Sequence, residues 1–156
     1  SVARWNMATG EINPMPYEYP DLKKVRFIYA ASAEHQLYVQ CYTQYDLMTI
    51  CDFNGNLKCN IYGPKWVNEK TQTQHYSLGV EFCGDKILAL YSGGDHRTDA
   101  YYPTKFLVFD LNGNYLKTLE TGYMITDFCY DKENNRLIIN LNDEIQFAYL
   151  DLEGII

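Results

Sequence analysis

Nowhere in the 156 residues does an apolar run approach the length of a membrane-spanning helix, about 20 residues. No segment sustains a helical apolar period either. Basic residues are scarce: 13 Lys and Arg stand against 20 Asp and Glu, a formal net charge of −7. That balance argues against nucleic acid and anionic membrane surfaces as partners, since both need a basic face that displaces counterions. Catalytic signatures are missing too. There is no Gly-x-Ser-x-Gly elbow and no phosphate-cradling loop; Ser92-Gly93-Gly94-Asp95 follows a strand-like run but opens no helix. His75 and His96 lack a third partner at metal-ligand spacing, so no metal or other cofactor is expected. The five cysteines (Cys41, Cys51, Cys59, Cys83 and Cys129) are odd in number and form no Cys-x-x-Cys. They read as buried free thiols rather than a zinc site or a disulfide framework.

What is present is enough apolar residue, 47%, to build a core, and a motif that recurs. Asp-x-Asn/Glu-Gly closes an apolar run three times: Asp52-Phe53-Asn54-Gly55-Asn56, Asp110-Leu111-Asn112-Gly113-Asn114 and Asp151-Leu152-Glu153-Gly154. A degenerate relative spans Asn6 to Glu11. Asn-Gly between strand-like runs predicts a hairpin with a type I′ turn, in which both central residues have positive φ. Of the spacings, about 58 and 41 residues, the shorter matches the ~40–50 residues of a bare propeller blade and the longer a blade carrying insertions. The Asp-x-Asn-Gly-Asn strings resemble the start of a calcium loop, but they lack its downstream Glu, and a hairpin accounts for them.

Strand-like runs fall into units of four around these turns. Residues 25–62 form one unit, 78–119 a second with long loops, and 125–156 a third whose last strand is cut to a stub. Residues 1–13 read as the last two strands of an incomplete unit, followed by a connector carrying Pro14, Pro16 and Pro20. Ile87–Tyr91 and Phe106–Phe109 are continuously apolar, as expected of strands buried on both faces. The predicted fold is therefore all-β, a partial β-propeller of about three and a half four-stranded antiparallel blades. Such an array leaves open faces, which implies either missing blades or a second copy of the chain.

Three strings resemble those of a known family: Ile61-Tyr62-Gly63-Pro64-Lys65-Trp66, Lys86-Ile87-Leu88-Ala89-Leu90-Tyr91-Ser92-Gly93 and Phe106-Leu107-Val108-Phe109-Asp110-Leu111-Asn112-Gly113-Asn114. They are similar to the TolB-like six-bladed propellers, with this chain matching roughly the C-terminal half of a member. The resemblance implies a six-bladed fold and a bacterial cell envelope location, periplasm or outer surface. It implies no activity and no catalytic residues.

In a four-stranded meander the turns sort onto two ends. The tight ones, such as Gly84-Asp85 and Asn112-Gly113, share one end, while the connector 63–77 and the loop 92–104 share the other. Long loops on a rigid scaffold are where binding residues gather. These two carry Trp66, His75, Tyr76, Asp95, His96, Arg97, Asp99, Tyr101 and Tyr102, a set suited to a glycan or a peptide. The competing reading makes Trp66 and the tyrosines loop anchors and Asp95 to Arg97 a solvated tip. The strand tyrosines, among them Tyr29, Tyr38, Tyr42, Tyr91, Tyr130 and Tyr149, are expected to pack between blades. The functional expectation is a non-enzymatic binding or scaffold module. The alternatives are an enzyme acting on glycans or peptides through the same rim, with Asp95 and Asp99 as its acid and base, and a half-propeller that acts by self-association.

Overall fold

The computed structural model describes residues 3–14, 22 and 25–156. It is an all-β partial propeller of four antiparallel sheets. A hairpin, β1 (Ala3–Trp5) and β2 (Ile12–Pro14), comes first. The first blade follows as β3 (Phe27–Ser32), β4 (Leu37–Tyr42), β5 (Leu47–Asp52) and β6 (Leu57–Tyr62). The second is β7 (Thr73–Cys83), β8 (Lys86–Asp95), β9 (Lys105–Asp110) and β10 (Tyr115–Glu120). The third is β11 (Ile125–Asp131), β12 (Arg136–Leu141) and β13 (Phe147–Asp151). Strand order within every sheet follows the chain. Pro16 and Pro20 of the predicted connector, and Val2, lie outside the described residues.

Successive blades bury their faces on one another. On β8, Ile87, Ala89 and Tyr91 join the core shared with the first blade. The intervening Leu88 and Leu90 join the core shared with the third. The continuous apolar run is thus split by strand pleat between two interfaces. The first strands of the blades, β3, β7 and β11, pack side by side. At their far turns Lys132 Nζ donates to Glu34 Oε2 at 2.7 Å, joining third blade to first.

The Asp-x-Asn-Gly-Asn strings do form hairpins, but not type I′ ones. Gly55 and Gly113 have φ +86°, whereas Asn54 and Asn112 do not have positive φ. Asp52 organises the turn instead. Its Oδ1 accepts from the backbone N–H of Asn54 (2.8 Å) and Asn56 (2.9 Å), and its Oδ2 from Asn56 Nδ2 (2.8 Å). Asp110 repeats the pattern with Asn112 and Asn114. An aspartate that can cap its own turn favours a bulged loop with a single left-handed glycine, and the register shift in both hairpins is that bulge. These turns also touch the preceding blade. Arg4 Nη2 donates to Phe53 O (2.6 Å), and the Cys59 thiol to Asn112 O (3.5 Å).

All five cysteines are free thiols. Cys41, Cys51 and Cys83 are buried as expected; burial pushes the Cys83 thiol up to about 12. Cys59 is only half-buried and Cys129 is exposed. In β11 the buried side chains are Ile125 and Phe128, which leaves Cys129 on the outward side. Tyr42 and Tyr91 pack in the core, while Tyr29 and Tyr149 stand in solvent.

Candidate functional site

The rim predicted to carry the long loops is stitched to its neighbours by a bond pattern that repeats. Thr71 N and Oγ1 both donate to Gln44 O, and four residues on His75 N donates to Thr43 O at 2.8 Å. At the next junction Thr121 N and Oγ1 donate to Thr104 O (2.9 and 2.7 Å), and Ile125 N donates to Pro103 O at 2.8 Å. Each connector is therefore tied to the preceding blade before its first strand begins. Because of this tie, β7 starts at Thr73 and β8 runs on to Asp95. Residues 73–77 and 92–95, assigned above to the connector and the loop, are strand.

His75 and Ile125 occupy equivalent places in this pattern, yet one is imidazole and the other apolar. His75 is 2% exposed, with Nδ1 3.3 Å from the Tyr91 hydroxyl and 3.9 Å from Asp46 Oδ1. Burial pushes its pKa down, the Asp46 carboxylate pulls the other way, and Lys65 adds to the lowering. Burial, helped by Asp46, also raises the Tyr91 phenol. Asp46 pins the turn of the Gly-Pro-Lys-Trp string: its Oδ2 accepts from Lys65 N (2.9 Å) and its carbonyl from Gly63 N (2.8 Å). Trp66 then packs edge-on against Tyr62 (4.8 Å) and against Tyr45 (6.0 Å). Of the predicted site residues, Trp66, His75 and Tyr76 thus serve the scaffold side of the rim, and Tyr76 is buried at 1% exposure.

The remaining six run from the end of β8, at Asp95, through the β8–β9 loop. Asp95 holds Arg97 by Nε at 3.0 Å and Nη2 at 2.7 Å. These bonds, with the Arg97 backbone N–H, hold the Asp95 carboxyl well below the usual range. Arg97 is spent on this pair and points to solvent. The loop closes on itself through Ser92 Oγ, which donates to Ala100 O (2.7 Å), and through Gly94, where a Cβ would fall 1.9 Å from Ala100 O. Asp99 and Tyr101 lie in the short 3-10 turn this closure creates, and the Tyr101 and Tyr102 rings pack 4.4 Å apart.

His96 and Tyr101 alone of the nine line a cleft of about 410 Å³ at the junction of the first two blades. Its first-blade wall is Arg26, Ile28, Thr43 and Gln44; its second-blade wall is Lys70, Gln74, Ser77 and Leu78. Ser77 and Leu78 sit where β7 bulges away from β8 between Tyr76 and Val80. Leu78 has φ +67°, a conformation that a bulky side chain adopts only when its surroundings impose it. Ser77 is 2% exposed and its Oγ has no hydrogen-bond partner. Neither Arg26 nor Lys70 is ion-paired with any described residue. A second groove, about 350 Å³, runs between β6 and β9–β10, walled by Tyr62, Tyr76, Tyr91, Phe109 and Tyr115 with Asp46 and Lys105 at its polar points. Among the described residues no three His, Cys, Asp or Glu come together as metal ligands, and no helix is long and apolar enough to cross a membrane.

Sequence reading missed Arg26, Gln44, Lys70, Gln74 and Ser77. Arg26 and Gln44 flank strands of a different blade, and isolated polar residues beside strands carry no pattern. A signal did exist in the Thr-x-x-x-His and Thr-x-x-x-Ile pair, which marks the two connectors in register.

No family model matches the sequence, and no curated protein matches it. The fold is similar to the crystal structure of a protein of unknown function from Bacteroides caccae, with a TM-score of 0.53 and 14% sequence identity. The match covers 96% of this chain and 53% of that one, so the chain spans about half the length of the protein it resembles. At that identity the likeness concerns the fold alone.

Proposed function

We propose that the protein is a non-catalytic binding module of a bacterial envelope protein, holding a polar ligand, a glycan or a peptide, in the rim cleft between its first two blades. The observation that carries this reading is Ser77. It is a buried hydroxyl without a partner, in a cleft wall, on a bulge strained at Leu78. An unpaired buried hydroxyl costs about 1–3 kcal/mol, and a ligand whose binding shifts the bulge enough to reach it recovers that cost. Bulges and left-handed non-glycine residues concentrate at functional sites. The TolB-like kinship and the envelope location are part of the same reading, supported by the Ile61 to Trp66 string and the blade architecture.

Binding is favoured over catalysis by the state of Asp95. A general acid needs a carboxyl held protonated, yet Asp95 is held ionised by Arg97. The test is a glycan and peptide array probed with wild type and with a His96→Ala/Tyr101→Ala variant. The reading predicts hits that the variant loses while its urea midpoint is unchanged. Hits retained in full by the variant, or hydrolysis of a bound ligand, would contradict it.

A further inference from the structure

The chain is acidic, yet its rim cleft is not. Arg26 and Lys70 face it from opposite blades, His96 stands on the loop above, and among the described residues no carboxylate lines it. Three other clefts each carry a carboxylate: Asp46 beside Lys105 in the inter-blade groove, Asp52 beside Arg4 and Lys58 at the N-terminal hairpin, and Glu120 in the cleft against the third blade. In a molecule of net charge −7, two cations in one concavity, unpaired among the described residues, are a local inversion of the field. A concave, low-dielectric wall focuses that inversion toward the ligand.

Resting on the binding role argued above, we infer that the cleft takes a carboxylated saccharide, a uronic acid or a short oligomer bearing one. The guanidinium of Arg26 offers the planar fork that matches a carboxylate, and Lys70 offers a point charge from the facing wall. Sugar hydroxyls both donate and accept, which fits the Gln74 amide in the same wall and, once the bulge shifts, Ser77 Oγ. The Tyr101 ring gives a sugar face an apolar surface to lie against. An acidic peptide is the less suited occupant. It would need main-chain partners from a strand edge, and this cleft is lined by side chains. His96 Nδ1 faces Gln72 O at 3.0 Å, which orients its ring on the loop above the cleft.

Isothermal titration at constant ionic strength tests this with tetramers of galacturonate, glucuronate and mannuronate, a neutral galactose tetramer, a tetraglutamate peptide and sodium sulfate. The inference predicts that at least one uronate tetramer binds wild type at least tenfold more tightly than the neutral tetramer, the peptide or sulfate. It also predicts that Arg26→Gln/Lys70→Gln weakens this binding tenfold or more with no change in urea midpoint. Should the variant unfold, the single Lys70→Gln substitution on the exposed connector replaces it, with at least a threefold loss expected. Equal binding of neutral and acidic tetramers, lost in His96→Ala/Tyr101→Ala, would overturn the anionic class while leaving the binding role standing. Preference for tetraglutamate would assign the cleft to a peptide, and sulfate alone matching the best uronate would make it a simple anion site; either overturns the saccharide. No binding by any probe overturns the inference, and the array then judges the role separately.

Discussion

Gly63 is where one missing carbon matters most. A Cβ there would lie 2.1 Å from the Asp46 carboxylate, which is buried and bonded to the next turn and so cannot swing aside. Gly63→Ala should cost about 1–3 kcal/mol of unfolding free energy, the usual range for forced overpacking. Gly10, with φ +76° and nothing near its would-be Cβ, bears only backbone strain, and Gly10→Ala should cost about 1–2 kcal/mol at most. Urea titrations of the two variants compare them. His75 makes a pH prediction. Burial lowers its folded pKa below the ordinary value near 6.5, so the unfolded chain takes up the proton first as pH falls. Stability is therefore lost on going from pH 7 downward through 6.5. Glu81, raised by burial and by Asp127, acts in the opposite direction at lower pH, where the folded state holds the extra proton. The clean readout is the difference between wild type and His75→Gln: the gap between their urea midpoints should shift against wild type between pH 7 and 5.5. A constant gap would mean that His75 does not titrate differently on folding.

At the scale of elements, the stitch from each connector to the preceding blade is the device that sets where strands begin. Thr121→Val keeps the branched shape but removes the hydroxyl bond to Thr104 O, and should lower stability by about 0.5–1.5 kcal/mol. No measurable loss in urea would mean that the backbone bond alone holds the junction. Turns and apolar runs were legible in the sequence because each is a local chemical statement. The two Asn-Gly pairs marked the β5–β6 and β9–β10 hairpin turns correctly, and Ile87–Tyr91 announced burial on both faces. The turn type was not legible, because Asp52 and Asp110 act through side-chain bonds that a dipeptide rule ignores. The start of β7 was hidden because Thr73 to Ser77 are polar and gain their partners from another blade. For the same reason the sequence pointed to the rim but not to most of the residues that line the cleft there. Long loops point to an end of the molecule, but Arg26, Ser77 and Gln44 meet only through packing.

For the molecule as a whole, the third blade ends at β13, whose outer edge pairs with no described strand. Beside it Ile145 and Phe147 are 60% and 68% exposed. An unpaired edge carrying apolar side chains is a template for pairing. Sedimentation velocity from 1 to about 100 μM should therefore show concentration-dependent association, reduced in Ile145→Lys/Phe147→Glu. A monodisperse monomer throughout would show that this edge is inert. The central claim, a ligand held at the Ser77 bulge between the first two blades, is tested most directly by NMR titration of the labelled protein with the best ligand from the array. The account predicts backbone shifts centred on Gln44, Lys70, Gln74–Leu78, His96 and Tyr101. Shifts centred instead on the groove of Tyr62, Lys105 and Tyr115 would contradict it.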